Sequence, residues 1–458
     1  MQSSVTLYPG DNRLSLQKLI DQGVRVHSVV TDPPYGLVSV QKRFGKEGSA
    51  AARTEGNDGS FARLSGGFMG KAWDGTGIER DPDFWKLIYD ILLPGGYVFA
   101  FSGSRTGHWQ ACAMETAGFI MHPMHGWVFG SGFPKAHAAD KAIDKHLGVE
   151  RKVVGQSNRG SGAQPNKLNN HGSGDTGIGY ADGSGKVFDI TAPATPEAAQ
   201  WEGWAYGTQA QKPALEPIYL GQKPFSEKTG AANLLKHGVG AVNIDGCRVP
   251  GEAWSRPASN AVGGVYGDYA NDSDRQNDKG RHPANLILDG SPEVVAMFPD
   301  SKGQQGDLKG HDKKRQSPNG VFGEMGAAAD HQARNDSGSA ARFFHQFGPD
   351  TDPLFYHPKA GKQDRAGSKH PTVKPIALMQ YLIRHITPPG GIVLDPFAGS
   401  GTTAEAARRE GFDVILMEAE QEYVDFLNQR FNLSQVERSD SLTDLTDLLD
   451  NVTNDLLV

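Results

Sequence analysis

Apolar residues are grouped into short runs at the two ends of the chain, and the middle is polar and rich in glycine. Val5 to Tyr8 is β-prone and meets a turn at Gly10-Asp11, after which Leu14, Leu16, Leu19 and Ile20 follow at helical spacing. Val26 to Thr31 is a continuous apolar run that predicts a buried strand, with Asp32 at its C-terminal end. In Asp81 to Leu93, the residues Phe84, Trp85, Leu87, Ile88, Ile91 and Leu92 form one helical face. The sequence Pro94-Gly95-Gly96 stops that helix, and Tyr97 to Phe101 predicts a strand. A further helix is expected over about Thr106 to Ala117, followed by a β-prone stretch ending near Phe129.

Near the C-terminus, Gly391 to Leu394 predicts a strand, Thr402 to Glu410 a helix, Val414 to Met417 a strand and Gln421 to Phe431 a helix. This is one βαβα half of a doubly wound sheet. Two strands cannot complete such a sheet, and the N-terminal third supplies strands and helices without a glycine-rich loop of their own. The two ends are therefore expected to share one parallel sheet, in a circularly permuted order. That requires the strands ending at Thr31 and Leu394 to lie side by side.

Between them, 131–369 is dense in Gly, Asn, Asp and Ser, with short apolar islands at Glu216 to Leu220, Ala241 to Ile244, Asn285 to Leu288 and Phe343 to Phe347. It reads as a loop-rich insertion anchored on the core. Gln41 to Gly67 reads as a loop. In the tail, Leu442, Leu445, Leu449, Val452 and Leu456 fall on one helical face among acidic residues, which suggests a docking or dimer helix. The expected division is thus 1–130, 131–369, 370–433 and 434–458.

Composition narrows the class. In 458 residues no apolar run approaches the roughly 20 residues that span a bilayer, and the N-terminus lacks a signal peptide's pattern, so a cytoplasmic protein without membrane partners is expected. Two cysteines, Cys112 and Cys247, are too few for a disulfide framework and are expected to be small buried residues. His108, His122, His125 and His137 fit no zinc spacing, so no metal site is expected. The net charge of −7 means that a polyanion surface must come from local clusters. Lys309, Lys313, Lys314 and Arg315 form one basic island and Lys359, Lys362, Arg365 and Lys369 another, the second favoured for phosphate contact. Trp201, Trp204 and Tyr206 are expected to anchor the insertion.

Two motifs carry chemistry. Gly399-Ser400-Gly401 follows a strand and opens a helix, so its backbone can approach a ligand closely and its amides can face a polar group. With Ala404 it also satisfies a dinucleotide fingerprint, and Glu418 would serve a ribose in either a dinucleotide or an S-adenosylmethionine site. The second motif is Asp32-Pro33-Pro34-Tyr35. An exocyclic amine on a base has its lone pair delocalised into the ring, so a catalyst must accept hydrogen bonds from its protons. Asp32 offers a carboxylate acceptor. The prolines hold the chain extended, with the Pro33 carbonyl as a second acceptor, and Tyr35 offers a stacking face.

These motifs, in this order, resemble the amino-directed (N6-adenine/N4-cytosine) DNA methyltransferases of the β arrangement, and within them the phage-like site-specific adenine methyltransferases. Gly10-Asp11 is similar to the family's segment against the cofactor adenine, and His370-Pro371-Thr372-Val373-Lys374-Pro375 to its segment at the methionine end. Gly126 to Lys135, Lys212 to Pro217 and Asn243 to Arg248 are similar to stretches of phage-like members. The resemblance implies an α/β, Rossmann-like S-adenosylmethionine-dependent methyltransferase sheet, circularly permuted, with a large loop-rich target-recognition insertion. It gives catalysis to Asp32, Pro33, Pro34 and Tyr35. S-adenosylmethionine falls to Asp11, His370, Thr372, Lys374, Asp395, Pro396, Phe397, Ala398, Gly399, Ser400, Gly401 and Glu418. The implied reaction is methylation of adenine N6 in DNA after base flipping, with N4-cytosine as the alternative, since there the first motif residue is more often Ser. A nicotinamide oxidoreductase would explain the glycine loop but not Asp32 to Tyr35. A homodimer and a role in restriction–modification are compatible with the family.

Overall fold

Ten short segments, drawn from both ends and from the middle of the chain, assemble one sheet. The computed structural model describes 3–35, 76–130, 132, 134–158, 187–251, 254–256, 259–264, 267–271, 275–277, 279–302, 315–316, 324–325, 337–347, 362–368 and 373–433. Its ten-stranded sheet contains β1 (Val5–Pro9), β2 (Val26–Thr31), β3 (Leu92–Phe101), β4 (Ile120–Met121), β5 (His125–Val128), β6 (Leu215–Gln222), β7 (Leu286–Leu288), β8 (His345–Gln346), β9 (Ile392–Asp395) and β10 (Asp413–Glu418). The order is β1-β10-β9-β2-β3-β6-β5-β7-β8, with β4 beside β6. The first five strands run parallel, and β6 is antiparallel to both β3 and β5.

The expected junction of the two chain ends is present. Strand β2 pairs in parallel with β9, Val29 opposite Leu394, and β1 pairs in parallel with β10. Among the described residues, the helices of eight residues or more are α1 (Asn12–Asp21), α2 (Pro82–Ile91), α3 (Gly107–Thr116), α4 (Ala139–Leu147), α5 (Gly230–His237), α6 (Ile376–Ile386), α7 (Thr402–Glu410) and α8 (Gln421–Phe431). Alternate strand residues feed two cores. Val29, Val98, Leu394 and Ile415 face α1, α2 and α3, while Val30, Phe99, Val393 and Val414 face α6, α7 and α8. A three-layer arrangement follows.

Several expectations change. Strand β3 begins at Leu92, earlier than the Pro94-Gly95-Gly96 stop suggested. The register against β2 slips there, from Val26–Leu92 to Ser28–Tyr97, and a left-handed Gly95 absorbs the extra residues. Strands β6, β7 and β8, from within 131–369, extend the sheet. Cys112 is exposed on α3, although Cys247 is buried. Trp201, Trp204 and Tyr206 are exposed rather than anchoring side chains; this region is tied down by backbone bonds such as Ala139 N–H to the Trp204 carbonyl, at 2.8 Å. It is also held by Arg151, which is paired with Asp140 and Asp144 at 2.8 and 2.6 Å. The tail 434–458 and, of the two basic islands, Lys309, Lys313, Lys314, Lys359 and Lys369 lie outside the described residues. No helix among the described residues is long and apolar enough to cross a membrane.

Three interior histidines are held neutral. Burial lowers His27, His125 and His385 to about 4, and His27 Nδ1 accepts the Ile392 N–H at 2.9 Å, which requires the uncharged ring. Their folded values lie below the unfolded value of about 6.5. Their contribution to stability is therefore complete above pH 6.5 and is lost as pH falls towards 4. Buried carboxyls with raised values act in the opposite direction, so the histidine share is read by difference. Replacing His27 with Gln, which keeps an acceptor, is expected to flatten the decline of the urea midpoint between pH 6.5 and 4.5. The flattening should correspond to at most about 1.4 kcal/mol per pH unit, and parallel pH dependences for the two proteins would contradict it.

Candidate active site

At the carboxyl edge of the sheet, Asp32 leaves β2 and Asp395 ends β9, adjacent because the two strands pair. The buried Thr31 hydroxyl donates to Asp395 Oδ1 at 2.7 Å, which locks the two motifs together. Pro33 and Pro34 are buried and fix the exit from the strand. Tyr35 then turns back. Its carbonyl accepts from the Thr106 hydroxyl at 2.7 Å, and its own hydroxyl donates to Asp32 Oδ1 at 2.8 Å.

Lys374 completes this cluster. Its Nζ lies 2.8 Å from Asp32 Oδ2, 3.0 Å from the Tyr35 hydroxyl and 3.2 Å from Glu216 Oε2. It also sits 5.3 Å and 4.7 Å from the ring centroids of Tyr35 and Phe101. Two carboxylates thus share one ammonium in a site with little solvent. Burial pushes Asp32 above the usual carboxylate range; Lys374 opposes that shift and Glu216 adds to it. Burial disfavours the Lys374 charge, but the two carboxylates together outweigh burial and hold it above its ordinary value. Tyr35 is pushed well up, by burial first and then by the same carboxylates. Burial and the Glu216 carboxylate thus oppose the ionised form of Asp32, and the Lys374 ammonium favours it.

The glycine turn is organised from below by Asp395 and from the side by Glu418. Asp395 accepts from Thr31, from the Thr403 hydroxyl and from Phe397 N–H at 3.1 Å, and burial raises it to about 6. Glu418 accepts from Gly399 N–H at 2.8 Å and Glu420 N–H at 2.9 Å, and burial holds it above its ordinary value. The Pro396 carbonyl accepts from Asn12 Nδ2 at 3.0 Å, and the Ser400 carbonyl from Arg430 at 2.6 Å. The Phe397 ring lies 5.3 Å from that of Phe84, and Ala398 N–H bonds the Met417 carbonyl at 3.0 Å. Gly401 has φ +76°, and a β-carbon there would stand 2.5 Å from Leu427 and 2.7 Å from Phe431. Only glycine lets α8 close on this turn.

The remaining expected residues are divided. Asp11 caps α1 by accepting from Arg13 N–H at 2.7 Å, next to Gly10, whose N–H bonds the Glu418 carbonyl at 2.8 Å. Asp11 and Glu418 therefore stand on neighbouring strand ends. His370 and Thr372 lie outside the described residues. Lys374, expected beside the cofactor's methionine end, contacts Asp32 and Tyr35. Glu216, Thr31 and Thr403 were not anticipated as site residues. The only signal for Glu216 was its place in Lys212 to Pro217.

An open, largely parallel sheet with a glycine turn and an acidic strand end at its carboxyl edge defines a Rossmann-like α/β protein. Residues 252–429 match the family model described as DNA methylase. The chain is similar to the type II methyltransferase M2.DpnII of Streptococcus pneumoniae, 42% identical over 69 residues that make up 15% of this chain and 26% of the relative. It is also similar to M2.LlaDCHI of Lactococcus lactis subsp. cremoris, 38% identical over 71 residues, or 16% and 26% of the two chains. The match thus spans about a quarter of those relatives, and the activity of the whole chain does not follow from it. Among solved structures, M1.HpyAVI in complex with SAM aligns with TM-score 0.36 at 14% identity, over 93% of this chain and 99% of that one. The cytosine-N4-specific PvuII DNA methyltransferase aligns at 0.35 and 14%, over 99% and 94%.

Proposed function

We propose that this chain transfers a methyl group from S-adenosylmethionine to the N6 amino group of adenine in DNA. The observation that carries this reading is the pairing of β2 with β9, which sets the Asp32 carboxylate beside the glycine turn through the Thr31–Asp395 hydrogen bond. The turn suits the cofactor. Glu418 offers carboxylate lone pairs to ribose hydroxyls, Gly399 to Gly401 let a ligand approach the backbone, and Asp11 stands at the adjoining strand end for the adenine. Bound there, the cofactor supplies an electrophilic methyl carbon and leaves with the electron pair of its carbon–sulfur bond.

The chain's own residues act on the amine. Asp32 accepts a hydrogen bond from the amino group, which favours a tetrahedral nitrogen whose lone pair forms the new bond to carbon. As positive charge develops on nitrogen, the Asp32 carboxylate stabilises it. The proton shed by nitrogen passes to Asp32 and then to solvent. The Pro33 carbonyl supplies a second acceptor, and the Tyr35 ring a face for a base flipped out of the duplex. Residues 131–369 carry target recognition in this reading, outside the strands that they lend to the sheet.

Asp32 as the first motif residue favours adenine, with N4-cytosine the alternative in the same site. Incubation of unmethylated genomic DNA with S-adenosylmethionine labelled on the methyl group is expected to put label into DNA. Calorimetry is expected to show binding of S-adenosylmethionine and not of NAD. The reverse binding preference would favour an oxidoreductase.

A further inference from the structure

Lys374 holds the position that a target amine needs. Its nitrogen donates to Asp32 Oδ2 at 2.8 Å and lies between the faces of Tyr35 and Phe101, so a carboxylate and aromatic rings enclose it. A base amino group on Asp32 would claim the same oxygen and the same surroundings. A neutral amine is a weaker donor than an ammonium, whose bond to a carboxylate is charge-assisted. A desolvated ammonium, in turn, cannot be left without a counter-charge. The exchange is favourable only if Lys374 has a second carboxylate within reach.

Glu216 is that carboxylate, with Oε2 3.2 Å from the same nitrogen. It is held rigidly. Strand β6 lies between β3 and β5, with Glu216 opposite Trp127 and Ile218 opposite Phe101, and the Pro217 carbonyl accepts from Ser102 N–H at 2.9 Å. Building on the methyltransferase reading, we propose that Glu216 is a positioning residue: it draws Lys374 off Asp32 when a base amino group arrives, and so frees Asp32 as the acceptor. Lys374 then serves as a place-holder for the amine.

The test is single-turnover methyl transfer into unmethylated genomic DNA at saturating S-adenosylmethionine from pH 5 to 9, for the wild type, Glu216→Gln and Glu216→Asp. In Glu216→Gln the rate constant is expected to fall about 10- to 100-fold, with the S-adenosylmethionine Kd within about twofold of the wild type. Its acid limb should move to lower pH, because the residue no longer repels the Asp32 charge. Glu216→Asp keeps the charge, and should leave the acid limb in place and recover part of the rate. Three results would each overturn the role while leaving the methyltransferase reading intact: an unchanged Glu216→Gln rate, a lower rate with an unmoved acid limb, or no recovery in Glu216→Asp. A wild type that methylates no DNA would overturn both. If Glu216→Gln fails to bind cofactor, Glu216→Asp decides: a rate within about tenfold of the wild type supports the role, and a loss beyond about 100-fold overturns it.

Discussion

Asp32→Ala is expected to lower methyl transfer by about 10³-fold or more, close to 4 kcal/mol on the barrier, while the protein still folds and binds S-adenosylmethionine. The loss is large because in the proposed mechanism Asp32 orients the amine and takes its proton. The fold survives because the variant leaves Lys374 paired with Glu216, one ammonium with one carboxylate, and so creates no orphaned buried charge. Thr31 and Asp395 keep their bond, so the glycine turn stays in place. Single-turnover kinetics with a parallel calorimetric titration separates the two effects. An Asp32→Ala protein with wild-type transfer would sink the mechanism, and one that no longer bound cofactor would show that Asp32 serves the fold instead.

Lys374→Met is the second large effect, and it acts on stability as well as on rate. Methionine fills the space of the lysine stem but leaves Asp32 and Glu216 as two buried carboxyls with no cation between them. Removing one partner of a buried ion pair costs about 3–5 kcal/mol. Here the pair can recover part of that by binding a proton. Asp32 is already raised by burial, and loss of Lys374 raises it further. A carboxyl with a raised folded value binds more protons folded than unfolded, so its stability is present at low pH and lost as pH rises through that value. The Tm deficit of Lys374→Met against the wild type should therefore grow as pH rises above the unfolded carboxylate value of about 4, and the acid limb of its rate profile should move up. A deficit that does not depend on pH would contradict the shared-ammonium cluster.

Local pattern made the parts of the fold that surround the cofactor turn legible. Strand β2, α7 and α8 have the bounds their apolar spacing indicates, because each is a short run ended by a residue with a clear preference, such as Gly401 before α7 and Gly411 after it. Helix α6 has no such local signature. Eight of its residues are buried, so it lacks the polar face that marks a helix by periodicity. Strand β6 was read as an island in a loop because it contains Pro217 and Gly221. The sheet accepts it because Pro217 uses its carbonyl, to which Ser102 donates, and needs no amide.

The same division holds in the site. Asp32 and the glycine turn were legible because each is a contiguous motif whose chemistry can be argued from its own residues. Their adjacency followed from counting strands, since neither chain end could close a sheet alone. Glu216 was hidden because its place beside Lys374 depends on the antiparallel pairing of β6 with β3, and no local pattern carries that information. Lys374 was assigned by resemblance to the cofactor's methionine end, and geometry adds its bonds to Asp32 and Tyr35.

The central claim is that Asp32, set beside the glycine turn by the joining of the chain ends, directs methylation of a base amino group. Its most direct test is mass spectrometry of nucleosides from the DNA of a methylation-deficient host that expresses the wild type or Asp32→Ala at matched levels. The account predicts N6-methyladenine with the wild type and none with the variant. Absence of methylated nucleosides with the wild type, or equal amounts with Asp32→Ala, would contradict it.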